Sequence, residues 1–318
     1  MVKKLIIDCD PGIDDSMAIL AAFNSPKEVE VIGLTTIFGN VQTATATGNA
    51  LVLRELAGRP QVPVAQGAAT PLSGVAKARI ADFVHGSDGF GNTNHPAAAG
   101  KAEEATAAQF IVDAVRAHPS EVTVLALGPL TNLALALQLD STLAGNLAEL
   151  VILGGAFFVN GNVNPAAEAN IFGDPDAAEY VFQQPVRMRV VGLDVTHTCT
   201  FTGGQLAAMR SRGRFGSFLA SITRFYLDYH RESYGMDAVY VHDPTALAAV
   251  LDPSLFTWQQ GAVCVVTEGV ARGLTVMDAG TKSWNGPNAW MTRPSVAVAV
   301  GVQAQALTSL ILDRMTIS

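Results

Sequence analysis

Leu5-Ile6-Ile7-Asp8-Cys9-Asp10-Pro11-Gly12-Ile13-Asp14-Asp15 is the stretch whose reading decides the fold. Three apolar residues run into two alternating aspartates. Pro11-Gly12 then turns the chain, and two more aspartates open an alanine-rich run ending at Phe23. A short continuous apolar run reads as a parallel strand covered on both faces, and the run after the turn reads as a helix. Alternation puts Asp8 and Asp10 on the same side of the strand. A helix cap explains one carboxylate of the four. It does not explain two more at a strand end, where mutual repulsion raises their pKa unless a cation is present. Hard oxygen donors grouped this way suit calcium or magnesium.

The same alternation recurs along the chain. Strands are predicted at Leu5–Ile7, Val29–Thr36, Val122–Leu127, Val151–Leu153 and Val186–Leu193, with helices at Asp15–Phe23, Thr43–Ala57, Thr106–His118 and Asn132–Leu139. This order implies an α/β fold: an open, mostly parallel sheet flanked by helices on both faces, as one domain over residues 1–318. Ligands in such sheets bind beyond the carboxyl ends of the strands. Later stretches read as a helix at Gly216–Tyr234, a strand pair within Ala262–Val276 and an amphipathic helix at Gln303–Met315. Ala68–Gly100 and Ala156–Phe172 read as long irregular excursions, which in compact domains are usually functional or mobile.

Composition narrows the function. Of 318 residues, 49% are hydrophobic and 15% charged, a supply of core that argues against extended disorder. The net charge of −8 argues against a nucleic-acid partner, which needs basic surface. Cys9, Cys199 and Cys264 form no CxxC pair, so neither a zinc ribbon nor a disulfide framework is expected, and a cytoplasmic setting is. The first apolar run stops at Asp8, too soon for a signal core. Gly128-Pro129 interrupts the apolar stretch Val122–Leu139, so no membrane span is expected.

Two further constellations carry polar chemistry. In Val241-His242-Asp243-Pro244, Asp243 is a good N-cap and Pro244 a good first helical residue, and the cap's second oxygen remains able to bind a metal. His242 is either a core histidine or a proton donor. In Gly161-Asn162-Val163-Asn164-Pro165-Ala166-Ala167-Glu168-Ala169-Asn170, the amides and the carboxylate offer the paired donors and acceptors that read sugar hydroxyls. Asp174-Pro175 is a plain helix start. No Gly-x-Ser-x-Gly elbow and no Walker lysine is present.

Together these residues resemble the inosine/uridine-preferring nucleoside hydrolase family. Asp8 to Asp15 is similar to its DxDPGxDD signature. The likeness continues through Phe38-Gly39-Asn40, His85-Gly86-Ser87-Asp88-Gly89, Leu127-Gly128-Pro129, Gly161-Asn162, Glu168-x-Asn170, Asp194-Val195-Thr196 and His242-Asp243-Pro244. The resemblance implies hydrolysis of the N-glycosidic bond of a ribonucleoside, the small-molecule partner, by a homodimer or homotetramer. It implies Ca²⁺ held by Asp10, Asp15, Asp243 and the Leu127 carbonyl, with Asp10 activating a calcium-bound water. Asp14, Asn40 and Asn170 would hold the ribose 2′ and 3′ hydroxyls, with Asp243 helping. Asn162 and Glu168 would hold the 5′ hydroxyl, and His85 and His242 would flank the base. Ala169 departs from the family's usual aromatic. An unperturbed histidine pKa near 6.5 suits His242 to donate a proton. A pyrimidine lacks N7, so its carbonyl oxygen needs another donor. His230 and Tyr234, four apart, share a helix face and are candidates, or else simply pack there.

A haloacid-dehalogenase-like phosphatase is the rival enzyme, since Asp8-x-Asp10 after a strand matches its acid pair, but Gly12 stands where that class has Thr or Val. A periplasmic sugar-binding protein is the non-catalytic rival.

Overall fold

The computed structural model describes residues 2–75 and 80–317. The predicted irregular stretch Ala68–Gly100 therefore includes four residues, 76–79, outside the described ones. Eleven strands are present among the described residues: β1 (Lys3–Cys9), β2 (Val29–Thr36), β3 (Val64–Gln66), β4 (Val122–Ala126), β5 (Glu149–Leu153), β6 (Met188–Val191), β7 (Thr200–Thr202), β8 (Ala238–Tyr240), β9 (Phe256–Val265), β10 (Thr275–Asp278) and β11 (Ser295–Val302). Nine of them form one sheet in the order β10-β9-β11-β6-β5-β4-β1-β2-β3, and β7 pairs with β8 separately. From β3 to β11 every neighbouring pair is parallel, while β9 runs antiparallel to both β11 and β10. The expected open, mostly parallel α/β sheet is what the chain forms.

Both faces are covered. Alternation along β1 sends Leu5, Ile7 and Cys9 into one core, shared with the helices Ile13–Phe23, His242–Leu251 and Ala304–Thr316. Ile6 points the other way, into a core shared with Ala107–Ala117, Thr131–Leu139 and Pro175–Phe182. Each such buried Leu or Ile stabilises the sheet by roughly 1.5–3 kcal/mol. No helix among the described residues is long and apolar enough to cross a membrane.

The order around β1 positions the site. From β1 the chain steps outward to β2 and β3, then returns to β4 on the other side. Strand order reverses between β1 and β4, and the crevice at their carboxyl ends is where open α/β sheets bind ligands. Asp10 lies just past the end of β1, and Leu127 just past the end of β4.

Several expectations shift in detail. The predicted strand Val186–Leu193 is a shorter β6, because Leu193 already begins a one-turn helix, Leu193–Thr196. The strand pair within Ala262–Val276 is the β9–β10 hairpin, whose first strand begins earlier, at Phe256. β11, between β6 and β9, was not anticipated. Asp174 does cap the helix Pro175–Phe182, accepting from the Ala177 amide at 3.0 Å.

Candidate active site

A cavity of about 510 Å³ opens over the carboxyl ends of β1, β4 and β5. Asp14, Asn40 and His85 line one side, and Leu127, Asn162, Glu168 and Asn170 another. His230, Tyr234, His242 and Asp243 complete the wall among the residues singled out from the sequence. Asp10 and Asp15 do not line it. They are buried beneath its floor.

The turn after β1 is built around carboxylates. The helix Ile13–Phe23 has Gly12 at its N-cap, with no side-chain cap there. Instead Asp15, in the first turn, reaches back, its Oδ2 accepting from the Gly12 amide at 3.0 Å and from Asn40 Nδ2 at 2.9 Å. Its Oδ1 accepts from the Asp10 amide at 3.2 Å. Asp10 Oδ2 accepts from the Asn40 amide at 2.6 Å. A Cβ on residue 39 would stand 1.8 Å from that same oxygen, so the fit around Asp10 demands Gly39. Asp8 behaves differently from the rest. Its Oδ1 accepts from Thr35 Oγ1 at 2.6 Å and Asn132 Nδ2 at 2.8 Å, away from the other carboxylates. Burial pushes its carboxyl up to about 7. Desolvation raises it, not the repulsion from Asp10 that alternation suggested.

Asp14, Asp15 and Asp243 each offer one oxygen lying within 4.8 Å of the other two, all three buried. The metal set implied by the sequence shares Asp15 and Asp243 with this triad but has Asp10 where the tightest grouping has Asp14. Asp243 is not the helix cap that its Asp-Pro sequence suggested. The helix begins one residue earlier, at His242, with Val241 at the cap position, and the Asp243 carboxyl lies by those of Asp14 and Asp15 instead. Burial, then Asp14, Asp15 and Asp10, push Asp243 well above the carboxylate range. Burial, then Asp15, push Asp14 up to about 8. Among the described residues no lysine or arginine is ion-paired with any of the three. Asp14 Oδ1 has no hydrogen-bond partner among the described residues. Such a site holds negative charge only beside a cation, and its hard oxygens fit one.

A stability consequence follows. Carboxyls raised in the folded state stabilise it below their unfolded value, and that stabilisation is lost as pH rises through the folded value. With Asp8 at about 7 and Asp14 at about 8, metal-stripped protein should lose thermal stability as pH rises from about 4 to about 8. Melting curves in chelator across that window test this. A melting temperature that climbs instead would contradict the burial of these acids.

The sugar-side loop is held by its own polar groups. The Glu168 carboxylate caps the helix Ala169–Gly173, accepting from the Asn170 and Ile171 amides, and also from the Gly155 amide at 3.1 Å. Asn170 Nδ2 donates to the Leu127 carbonyl at 2.7 Å and the Leu153 carbonyl at 3.2 Å. Both its hydrogens are spent, so toward a ligand Asn170 can only accept. The Leu127 carbonyl keeps a second lone pair. Asp194, past β6, accepts from the Phe157 and Phe158 amides at 3.0 and 2.8 Å and pins the start of the same loop.

The opposite wall is aromatic. His85 Nδ1 accepts from the Ile13 amide at 3.1 Å, and the ring stacks on Tyr226. Asp14 Oδ1 stands 3.9 Å from the same nitrogen. A nitrogen that accepts an amide carries no proton, so this contact is not an ion pair. His230 donates from Nδ1 to the Tyr226 carbonyl at 2.9 Å and accepts at Nε2 from the Tyr240 amide at 3.2 Å. Both ring nitrogens serve the backbone, so His230 cannot be the donor to a pyrimidine that its spacing suggested. It forms wall, with Tyr234 stacked on it. Tyr229 packs edge-on against Tyr234, 6.0 Å between ring centroids. Burial, then His197, His230 and His85, hold His242 well below the ordinary histidine value. It is a neutral ring at pH 7, not the half-protonated donor its unperturbed pKa suggested.

The profile of the inosine-uridine preferring nucleoside hydrolases matches residues 5–309. The chain belongs to this family. It is 51% identical over 314 residues to a probable uridine nucleosidase 2 of Arabidopsis thaliana, covering 98% of this chain and 97% of that one. It superposes on a solved plant nucleoside hydrolase, PpNRh1, with TM-score 0.98 and 48% identity, each chain covered completely. A purine-preferring ribonucleoside hydrolase from Gardnerella vaginalis superposes at TM-score 0.91 and 33% identity, with 99% and 98% covered. This nucleoside hydrolase is thus an enzyme that cleaves ribonucleosides with water, and the rival phosphatase and sugar-binding readings fall away. Sequence reading missed Tyr229 in the wall of its cavity and Thr196 behind His242. Tyr229 sits one position before His230, off the four-residue spacing that singled out His230 and Tyr234.

Proposed function

We propose that the enzyme hydrolyses uridine and related ribonucleosides with a calcium ion held by Asp10, Asp15, Asp243 and the Leu127 carbonyl. The observation that carries this is the buried grouping of Asp14, Asp15 and Asp243, each offering an oxygen within 4.8 Å of the other two. A bound cation supplies the positive charge that lets these acids ionise, and it acidifies water at the site. Asp10, beneath the floor, takes the proton of the attacking water. Asp14, Asn40 and Asn170 hold the ribose 2′ and 3′ hydroxyls, with Asp243 helping at the 3′. Asn162 and Glu168 hold the 5′ hydroxyl. These contacts tighten as the ribose flattens toward an oxocarbenium ion, so they lower the barrier and do not merely bind. Water attacks the face opposite the base, and the configuration inverts. His85 and His242 flank the base, and the neutral His242 ring offers its N–H to the charge gathering on it.

The 51% likeness to a uridine nucleosidase supports uridine as a substrate. We place the enzyme in the reducing cytoplasm, where its three free cysteines stay reduced, as a homodimer or homotetramer. The test is metal removal. Chelator-treated protein, verified metal-free, should release no ribose from uridine, and Ca²⁺ should restore the rate. Full turnover in metal-free protein ends the cation mechanism. Because the acids are protonated without a cation, Ca²⁺ uptake at pH 6 should also expel protons. Calorimetry in two buffers of different ionisation enthalpy reads that release, and identical heats would count against this ligand set.

A further inference from the structure

Behind His242 stands a hydroxyl that the catalytic reading does not use. Thr196 ends the one-turn helix Leu193–Thr196, is fully buried, and places its Oγ1 2.8 Å from His242 Nδ1. Among the described residues this is the one hydrogen bond to the Thr196 side chain. The His242 ring is boxed in, with Tyr240 tilted against it at 5.7 Å between centroids and His197 edge-on at 5.8 Å. The rings fix the plane of the imidazole. They do not decide which nitrogen carries the proton.

Thr196 decides it. A hydroxyl has one proton to donate, and leaving a buried donor without an acceptor is unfavourable. The nearby ring nitrogen can take that proton's hydrogen bond only if it carries none itself. We infer that Thr196 donates to His242 Nδ1 and so locks the neutral ring with its proton on Nε2, making Thr196 a positioning residue for the group that meets the departing base. In the opposite tautomer, Nδ1–H would donate to Thr196 and leave the hydroxyl proton unpaired. His242 would then turn a bare lone pair toward the charge gathering on the base. This inference rests on the reading that His242 serves the leaving group.

The direct test is ¹⁵N NMR of the calcium-loaded enzyme labelled at histidine. His242 should show an acceptor-type Nδ1 and a protonated Nε2. Thr196→Val should shift the ring to a mixture of tautomers, and Thr196→Ser should restore the wild-type pattern. For uridine, Thr196→Val should lower kcat about tenfold with little change in KM, while Thr196→Ser stays within about twofold of wild type. In a His242→Ala background, Thr196→Val should cost nothing further. A protonated Nδ1 in the wild-type enzyme overturns the inference. So do losses that add in the double variant, or a silent Thr196→Val beside a slow His242→Ala. If His242→Ala itself leaves turnover intact, the leaving-group reading fails, and the spectrum still decides the tautomer. Melting temperatures of all variants separate misfolding from a lost hydrogen bond.

Discussion

Replacing Asp10 by asparagine should lower kcat for uridine about a thousandfold, roughly 4 kcal/mol of barrier, in a protein that keeps its fold. The two side chains have the same shape, and shape is what the site constrains most. Gly39 and Gly128 press against the Asp10 carboxyl so closely that no Cβ fits at residue 39, and one at residue 128 would crowd it. An asparagine can keep the bond from the Asn40 amide by presenting its oxygen there. Its NH₂ group then faces the other way and cannot accept a proton. The loss should therefore fall on kcat, with KM and melting temperature close to wild type. Ribose release, calcium content and thermal unfolding of the purified variant check all three. A loss below about tenfold, some 1.4 kcal/mol, would assign the proton to another base.

Removing the substrate's 2′ hydroxyl should be equally severe. We expect kcat/KM for 2′-deoxyuridine to fall about 10⁴-fold below that for uridine, because a site built to hydrogen-bond a hydroxyl rejects the analogue that lacks it. The reason is visible in the acceptors. Asn170 has spent both amide hydrogens on carbonyls and presents only its oxygen to the cavity. Asp14 Oδ1 is buried with no hydrogen-bond partner among the described residues. Without a hydroxyl to donate to them, such acceptors lose their partner, at the transition state above all. Nucleoside 5′-monophosphates should be poor substrates for a different reason, since the Glu168 carboxylate on that side would face a phosphate. Steady-state kinetics on uridine, 2′-deoxyuridine and uridine 5′-monophosphate decide this. Equal kcat/KM for uridine and deoxyuridine would defeat the assignment of the sugar contacts.

What could be read from the sequence was whatever local pattern controls. The strand before Asp8, the helix after Gly12 and the parallel sheet follow from apolar runs and their spacing. The acidic turn was legible because carboxylates at a strand end have few structural reasons to be there. β11 was missed although valine alternates with small residues along Ser295–Val302. It pairs with β6 on one side and β9 on the other, partners its own residues do not announce. Asp243 looked like a cap because Asp-Pro is a good helix start. Its carboxyl instead lies beside those of Asp14 and Asp15, and no local rule weighs a contact across that much chain. His230 failed for the same reason, since spacing located it on the right face while the Tyr240 amide that occupies its Nε2 comes from a separate strand. Tautomers and proton positions lie further out of reach, because they depend on second partners such as Thr196.

The turn after β1 and the helix at His242 stand far apart in the chain and meet where the helices Ile13–Phe23 and His242–Leu251 pack together on one face of the sheet. Contacts of such long range form late and slowly in folding, since the loop between them must first be ordered. On the ribosome, the carboxylates at Asp10, Asp14 and Asp15 emerge well before Asp243 does. A cation held by these carboxylates would therefore act as a clasp at the end of folding, not as a nucleus at its start. Refolding should begin at the same rate with or without the ion, and the ion should instead slow unfolding. In living cells, a shortage of that cation during synthesis would then cost the enzyme lifetime more than yield.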